Sequence, residues 1–123
     1  MQIGRLERAR ELQDRTKKFA LRIIRAFARL PKSEEARVLG RQFLRSGTSV
    51  AANYRAACRA RSAAAFISKI SVVTEEADET LFWLELVVEA KLVRAETLAP
   101  LIAECGELLR IFSASLATAK ANR

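Results

Sequence analysis

Three groups of residues in this chain have types and spacing that could do chemistry. The first is Arg45-Ser46-Gly47-Thr48-Ser49, whose small polar residues could curl around a phosphate. A phosphate-binding P-loop needs GxxxxGK[ST] between a strand and a helix, so that successive backbone N–H groups cradle the anion and a lysine reaches it. No second glycine and no lysine follow Gly47 at that spacing. The second group is the glutamates. Glu75/Glu79 and Glu85/Glu89 stand four residues apart, which puts each pair on one helix face, as carboxylate ligands would be. Di-iron bundles add a histidine three residues after a glutamate, and the chain contains no histidine. Both pairs therefore read as solvated or salt-bridged surface. The third group is the arginines, which could neutralise a polyanion.

The missing histidine also removes the commonest general base and the commonest transition-metal ligand. Cys58 and Cys105 stand alone in helical patterns without CxxC spacing, as small buried thiols of a reducing compartment do. Ser68 and Lys69 are adjacent, so on a helix they point apart. These residues form no catalytic constellation, and the expectation is a non-enzymatic protein with no cofactor and no metal.

The elements that carry these residues are helices. Half of the residues are apolar, and only four are Gly and two Pro. Leu12, Thr16, Phe19, Ile23, Phe27 and Leu30 recur at helical spacing until Pro31, which places a first helix over about 4–30. Ser33 is a good N-cap, and Glu34 and Glu35 complement the positive end of a second helix over about 34–60. On that helix Arg37, Arg41, Arg45, Arg55 and Arg59 fall within about 80° of one another, opposite Leu39, Phe43, Val50, Tyr54 and Ala57. A loop has no reason to hold this phase across Ser46–Ser49, so the stretch is expected to be helical. Gly47 then lies at the edge of the apolar face, where a missing side chain lets another helix approach.

Ser62 is the next N-cap, and a third helix over about 63–91 has Phe66, Ile70, Val73, Ala77, Leu81, Leu84 and Val88 on one face. Val72, Phe82, Trp83, Leu86 and Ala90 form a second apolar side among Glu75 and Glu79. A helix apolar on two sides needs two partners. Either both sides lie within one bundle, or Val72, Phe82, Trp83 and Leu86 form a subunit interface. A fourth helix over about 95–120 presents Leu98, Leu101, Ile102, Cys105, Leu109, Phe112 and Leu116, with Pro100 expected in its first turn. Four long helices joined by short turns make an all-α, antiparallel up-down-up-down four-helix bundle, one domain over 1–123. No apolar run reaches the roughly 18 residues that suggest a membrane span, so a cytoplasmic protein without a membrane partner is expected.

Charge is uneven along the chain. Residues 1–62 carry 16 Lys or Arg against 5 acids, whereas residues 63–123 carry 6 against 9. The net charge of +8 therefore belongs to the first half. A solubility surface interleaves both signs, whereas the arginine rows carry few acids of their own. The expectation is that Lys18, Arg22, Arg25, Arg29, Arg37, Arg41, Arg45, Arg55 and Arg59 contact RNA or DNA backbone, because each neutralised phosphate releases counterions. No helix-turn-helix, RNP-type or zinc-finger signature points to base reading. The alternative is an interaction module whose arginines meet an acidic protein.

The run from Leu30-Pro31 through Gly40, Arg45-Ser46-Gly47-Thr48-Ser49, Ala52-Asn53-Tyr54-Arg55, Glu76-Ala77-Asp78-Glu79-Thr80 and Trp83-Leu84-Glu85-Leu86 resembles the bacterial 23S rRNA intervening-sequence protein family. The resemblance covers nearly the whole chain from about residue 19. It implies a compact four-helix bundle assembling into a homopentameric ring, with no enzymatic activity or cofactor. A related branch, the accessory proteins of diversity-generating retroelements, implies a basic pentamer that binds nucleic acid and a reverse transcriptase. Ala56 departs from the pattern, which often has an acid after Asn-Tyr-Arg, and makes this row more basic.

Overall fold

The structure, a computed structural model, describes the chain from Gln2 to Arg123, with side chains from Gly4 onward. Four helices make up the fold: α1 (Gln2–Ala28), α2 (Glu34–Cys58), α3 (Ala63–Glu89) and α4 (Ala95–Ala121). No strand occurs among the described residues. Each helix packs against its neighbours in sequence, and α1 meets α4 over a narrower seam. Antiparallel order follows from the partners: Arg15 reaches Glu104, Gly47 faces Ile23, and Arg45 reaches Glu76 and Glu79.

The caps explain where the helices begin and end. Ser33 and Ser62 are extended N-caps whose hydroxyls accept from Ala36 N at 3.3 Å and Ala65 N at 3.0 Å. The end of α3 carries no glycine signal. Lys91 takes the left-handed conformation at φ 61°, and two bonds close the turn, Leu92 N–H to Val87 O at 3.1 Å and Lys91 N–H to Val88 O at 2.9 Å. The helix therefore stops at Glu89, two residues earlier than its apolar period suggests.

The core is built from Phe19, Ile23, Phe43, Val50, Ile70, Val73, Leu84, Leu108 and Phe112, all essentially inaccessible to solvent. Tyr54 and Phe112 meet across it with ring centroids 5.5 Å apart. Two small residues set the α1–α2 distance. A Cβ on Gly47 would stand 2.7 Å from Ile23 Cγ1, and one on Gly40 would collide with the end of Leu30. Ser46 and Thr80, both fully buried, share a hydrogen bond of 2.7 Å between α2 and α3.

Two expectations shift in phase. On α3 the buried line runs through Ile67, Ile70, Val73, Ala77, Thr80, Leu84 and Val87, while Phe66, Leu81 and Val88 are only half-buried. On α4 Leu108 is buried while Ile102, Leu109 and Leu116 are partly exposed. Pro100 is the sixth residue of α4, beyond the first turn in which its spacing suggests it. It is tolerated because it sits on the solvent side, where the carbonyl it leaves unbonded can take water.

Candidate nucleic-acid interface

The nine basic residues singled out in the sequence form two separate rows. On α2 and its C-cap, Arg37, Arg41, Arg55 and Arg59 are exposed on the side away from the core, and none has an ion-pair partner among the described residues. From Arg37 to Arg59 the row spans about 33 Å at the helical rise. On α1, Arg22, Arg25 and Arg29 line a groove with Val93, Thr97, Leu98, Pro100 and Leu101, on the flank that meets α4. Phe27 and Ile23 face α2 from the other flank, against Gly40 and Gly47. The two rows therefore look in different directions instead of sharing one face.

Two members are already engaged. Arg45 leans toward α3 and pairs with both Glu76 and Glu79. Lys18 pairs with Asp14 at 3.0 Å, one helical turn away. The arginine row of α2 is thus opposed at Arg45, by acids from a neighbouring helix that a wheel of α2 alone does not show. Arg15, further along α1, forks onto Glu104 with two contacts of 2.7 Å and also reaches Glu107 at 3.1 Å.

Of the two glutamate pairs, only Glu79 has an ion-pair partner among the described residues, while Glu75, Glu85 and Glu89 are exposed. Glu79 accepts from Trp83 Nε1 at 3.1 Å and pairs with Arg45, and these donors, the indole N–H foremost, hold its carboxyl below the usual range. Its companion on Arg45 is Glu76, not Glu75. Neither thiol is activated. Burial pushes Cys105 up to about 12, with Glu85, Asp78 and Glu104 adding to the shift, and its Sγ donates to Ala77 O at 3.4 Å. Burial also raises the half-buried Cys58. The Asn53 amide donates to Ser49 O at 3.0 Å and Ser49 Oγ at 2.8 Å, within its own helix. Among the described residues no cluster of acids and thiols is placed to hold a metal ion, and no helix is long and apolar enough to cross a membrane.

The four residues proposed for a subunit contact divide as well. Phe82 is 53% exposed and Val72 38%, whereas Trp83 and Leu86 are half-buried. Trp83 packs against the core and stands 5.0 Å from Phe82, ring edge to ring face.

The family model for the 23S rRNA-intervening sequence protein matches residues 9–114, which takes in nearly all of the four helices just described. The chain belongs to this family. It is also similar to the crystal structure of a protein of unknown function from the S23 ribosomal protein family of Bacteroides thetaiotaomicron VPI-5482. The two share 33% sequence identity over 85% of this chain and 96% of that one, with a TM-score of 0.79. No curated protein matches the chain.

In this member of the family, the residues that carry the resemblance are mostly occupied with packing. Gly40 and Gly47 set the α1–α2 distance, Glu76 and Glu79 hold Arg45, Thr80 bonds Ser46, and Asn53 bonds Ser49. The outward arginines stand apart from that machinery.

Proposed function

We propose that the protein is a non-enzymatic homo-oligomer, a ring of five, that binds nucleic-acid backbone through the outward arginines of α2. The observation that carries this reading is the row Arg37, Arg41, Arg55 and Arg59, exposed and without acid partners among the described residues. A row of like charges is repulsive within one protomer and favourable against a polyanion, whose phosphates it would contact without reading bases. Lys18 is held by Asp14, and Arg22, Arg25 and Arg29 lie on the α4 flank apart from this row, so the α2 arginines carry the contact. The ring count comes from the family resemblance, and the exposed Phe82 and Val72 supply apolar surface for a subunit contact.

The test is fluorescence anisotropy with labelled single-stranded RNA, structured RNA and duplex DNA over a salt series, with wild type beside Arg41→Glu/Arg55→Glu. Four phosphates neutralised on a duplex give a slope of log affinity against log salt of about −3.6, and losing two arginines should bring it to about −2. Salt-insensitive binding, or a slope unchanged in the double variant, overturns the assignment to α2. Weak binding to all three ligands at moderate salt would instead direct the same row to an acidic protein.

A further inference from the structure

Two surfaces outside the α2 row are complementary in shape and charge. The groove between α1 and α4 encloses about 220 Å³, with Ala26, Val93, Leu98 and Leu101 as its apolar floor and Arg22, Arg25 and Arg29 on its rim. An apolar cavity of roughly 150 Å³ is enough to take up a benzene ring. None of the three arginines has an ion-pair partner among the described residues. The outer face of α3 has the reverse character. Phe82 stands out of it at 53% exposure, beside Glu75, Asp78 and Glu85. These three acids are likewise unpaired among the described residues, in contrast to Glu79, which Arg45 holds.

The two surfaces lie on different sides of the bundle, one along the α1–α4 seam and the other on α3, which packs against α2 and α4 but not against α1. They cannot meet within one protomer. We infer that Phe82 of one copy docks into the α1–α4 groove of the next, with Glu75, Asp78 and Glu85 meeting Arg22, Arg25 and Arg29. This inference rests on the homo-oligomeric reading above and says which surfaces mate. Because the mating patches differ, the contact is head-to-tail, each protomer uses both, and the repeat closes into a ring when the rotation allows it. A charge-matched rim around one aromatic anchor sets the register of such a contact. The basic residues are thereby divided between two roles, since those of the α1 groove join subunits while those of α2 stay outward.

The experiment is sedimentation velocity at equal protein concentration on wild type, Asp78→Arg/Glu85→Arg and Arg25→Glu/Arg29→Glu, each checked for wild-type helicity. Each reversed variant alone should associate at least tenfold more weakly. In an equimolar mixture each variant's altered surface matches the other's, so association should recover as open alternating oligomers; a ring of five cannot alternate throughout, and closing it would leave one like-charged contact. A second measurement avoids reversal. Glu85→Cys and Arg25→Cys on one chain should give a ladder of disulfide-linked oligomers on mild oxidation, resolved without reductant. If wild type is assembled but both reversed variants keep its mass, or the mixture stays dissociated, or the cysteine pair yields only monomer, this pairing of surfaces is wrong and the homo-oligomer stands. If wild type itself sediments as a monomer at every concentration, the homo-oligomeric reading falls and takes the inference with it.

Discussion

At the scale of single residues, Arg45 shows how local context reassigns a charge. Its neighbours on the α2 wheel are free arginines, yet two carboxylates of α3 neutralise it, and Trp83 donates to the same Glu79 oxygen that Arg45 contacts. Arg45→Ala should cost about 0.5–1 kcal/mol at pH 7, since the pair is largely exposed but two acids are left facing each other. The sign of the pH dependence follows from Glu79. Its folded carboxyl lies below the ordinary value, held there first by Trp83 and then by Arg45, so its contribution is present above the unfolded value near 4.3. That contribution is lost as pH falls through the folded value. Urea denaturation should therefore separate wild type from Arg45→Ala at pH 7 and bring them together at pH 3. A gap of equal size at both values would mean that packing, not charge, is what Arg45 supplies.

At the scale of elements, the glycines make a prediction with two signs. Ile23 is fully buried and has nowhere to go, so Gly47→Ala should destabilise by about 1–3 kcal/mol despite the better helix propensity of alanine. A Cβ at Gly106 meets only Arg110 Nη1, at 3.8 Å, so Gly106→Ala should stabilise by roughly 0.5–1 kcal/mol. Lys91→Gly should also stabilise, by about 1 kcal/mol, because glycine adopts the left-handed turn after α3 without a Cβ penalty. Thermal melts of the three variants beside wild type decide all of these. The same elements show what the sequence reveals and what it conceals. The α2 boundary is legible because Pro31 and Ser33 are strong local signals, and the helical character of Ser46–Ser49 because five arginines keep phase through it. The end of α3 is not, because Lys91 stands where a glycine would announce the turn. Phase errors on α3 and α4 have a common cause: both helices carry apolar residues around more than half their circumference, so period alone does not say which line faces inward. The division of the arginines into two rows is hidden for another reason. A wheel describes one helix, and the direction in which α1 turns its arginines depends on where α2 and α4 sit.

At the scale of the whole molecule, the fold keeps its interhelical packing residues apart from its unpaired charged surfaces. Gly40, Gly47, Ser46 and Thr80 sit in the interior seams, and the α2 arginines, the α1–α4 groove and the acidic face around Phe82 lie outside them. Charge changes on these outer surfaces should therefore alter association without unfolding the protomer. The packing pattern has a consequence in time as well. Each helix contacts most extensively the one that precedes or follows it, and only the narrower α1–α4 seam joins the two ends of the chain. Contacts of this kind close short loops, and helical bundles dominated by them fold in microseconds to milliseconds. The α2–α3 hairpin, which has the broadest contact and the Ser46–Thr80 bond, should form first, and the α1–α4 seam last. In stopped-flow measurements Val50→Ala should then mainly slow folding, and Leu98→Ala, on the seam, should mainly speed unfolding. The groove between α1 and α4 would accordingly be the last feature of the protomer to exist, so a ring built through it could assemble only from chains that have finished folding.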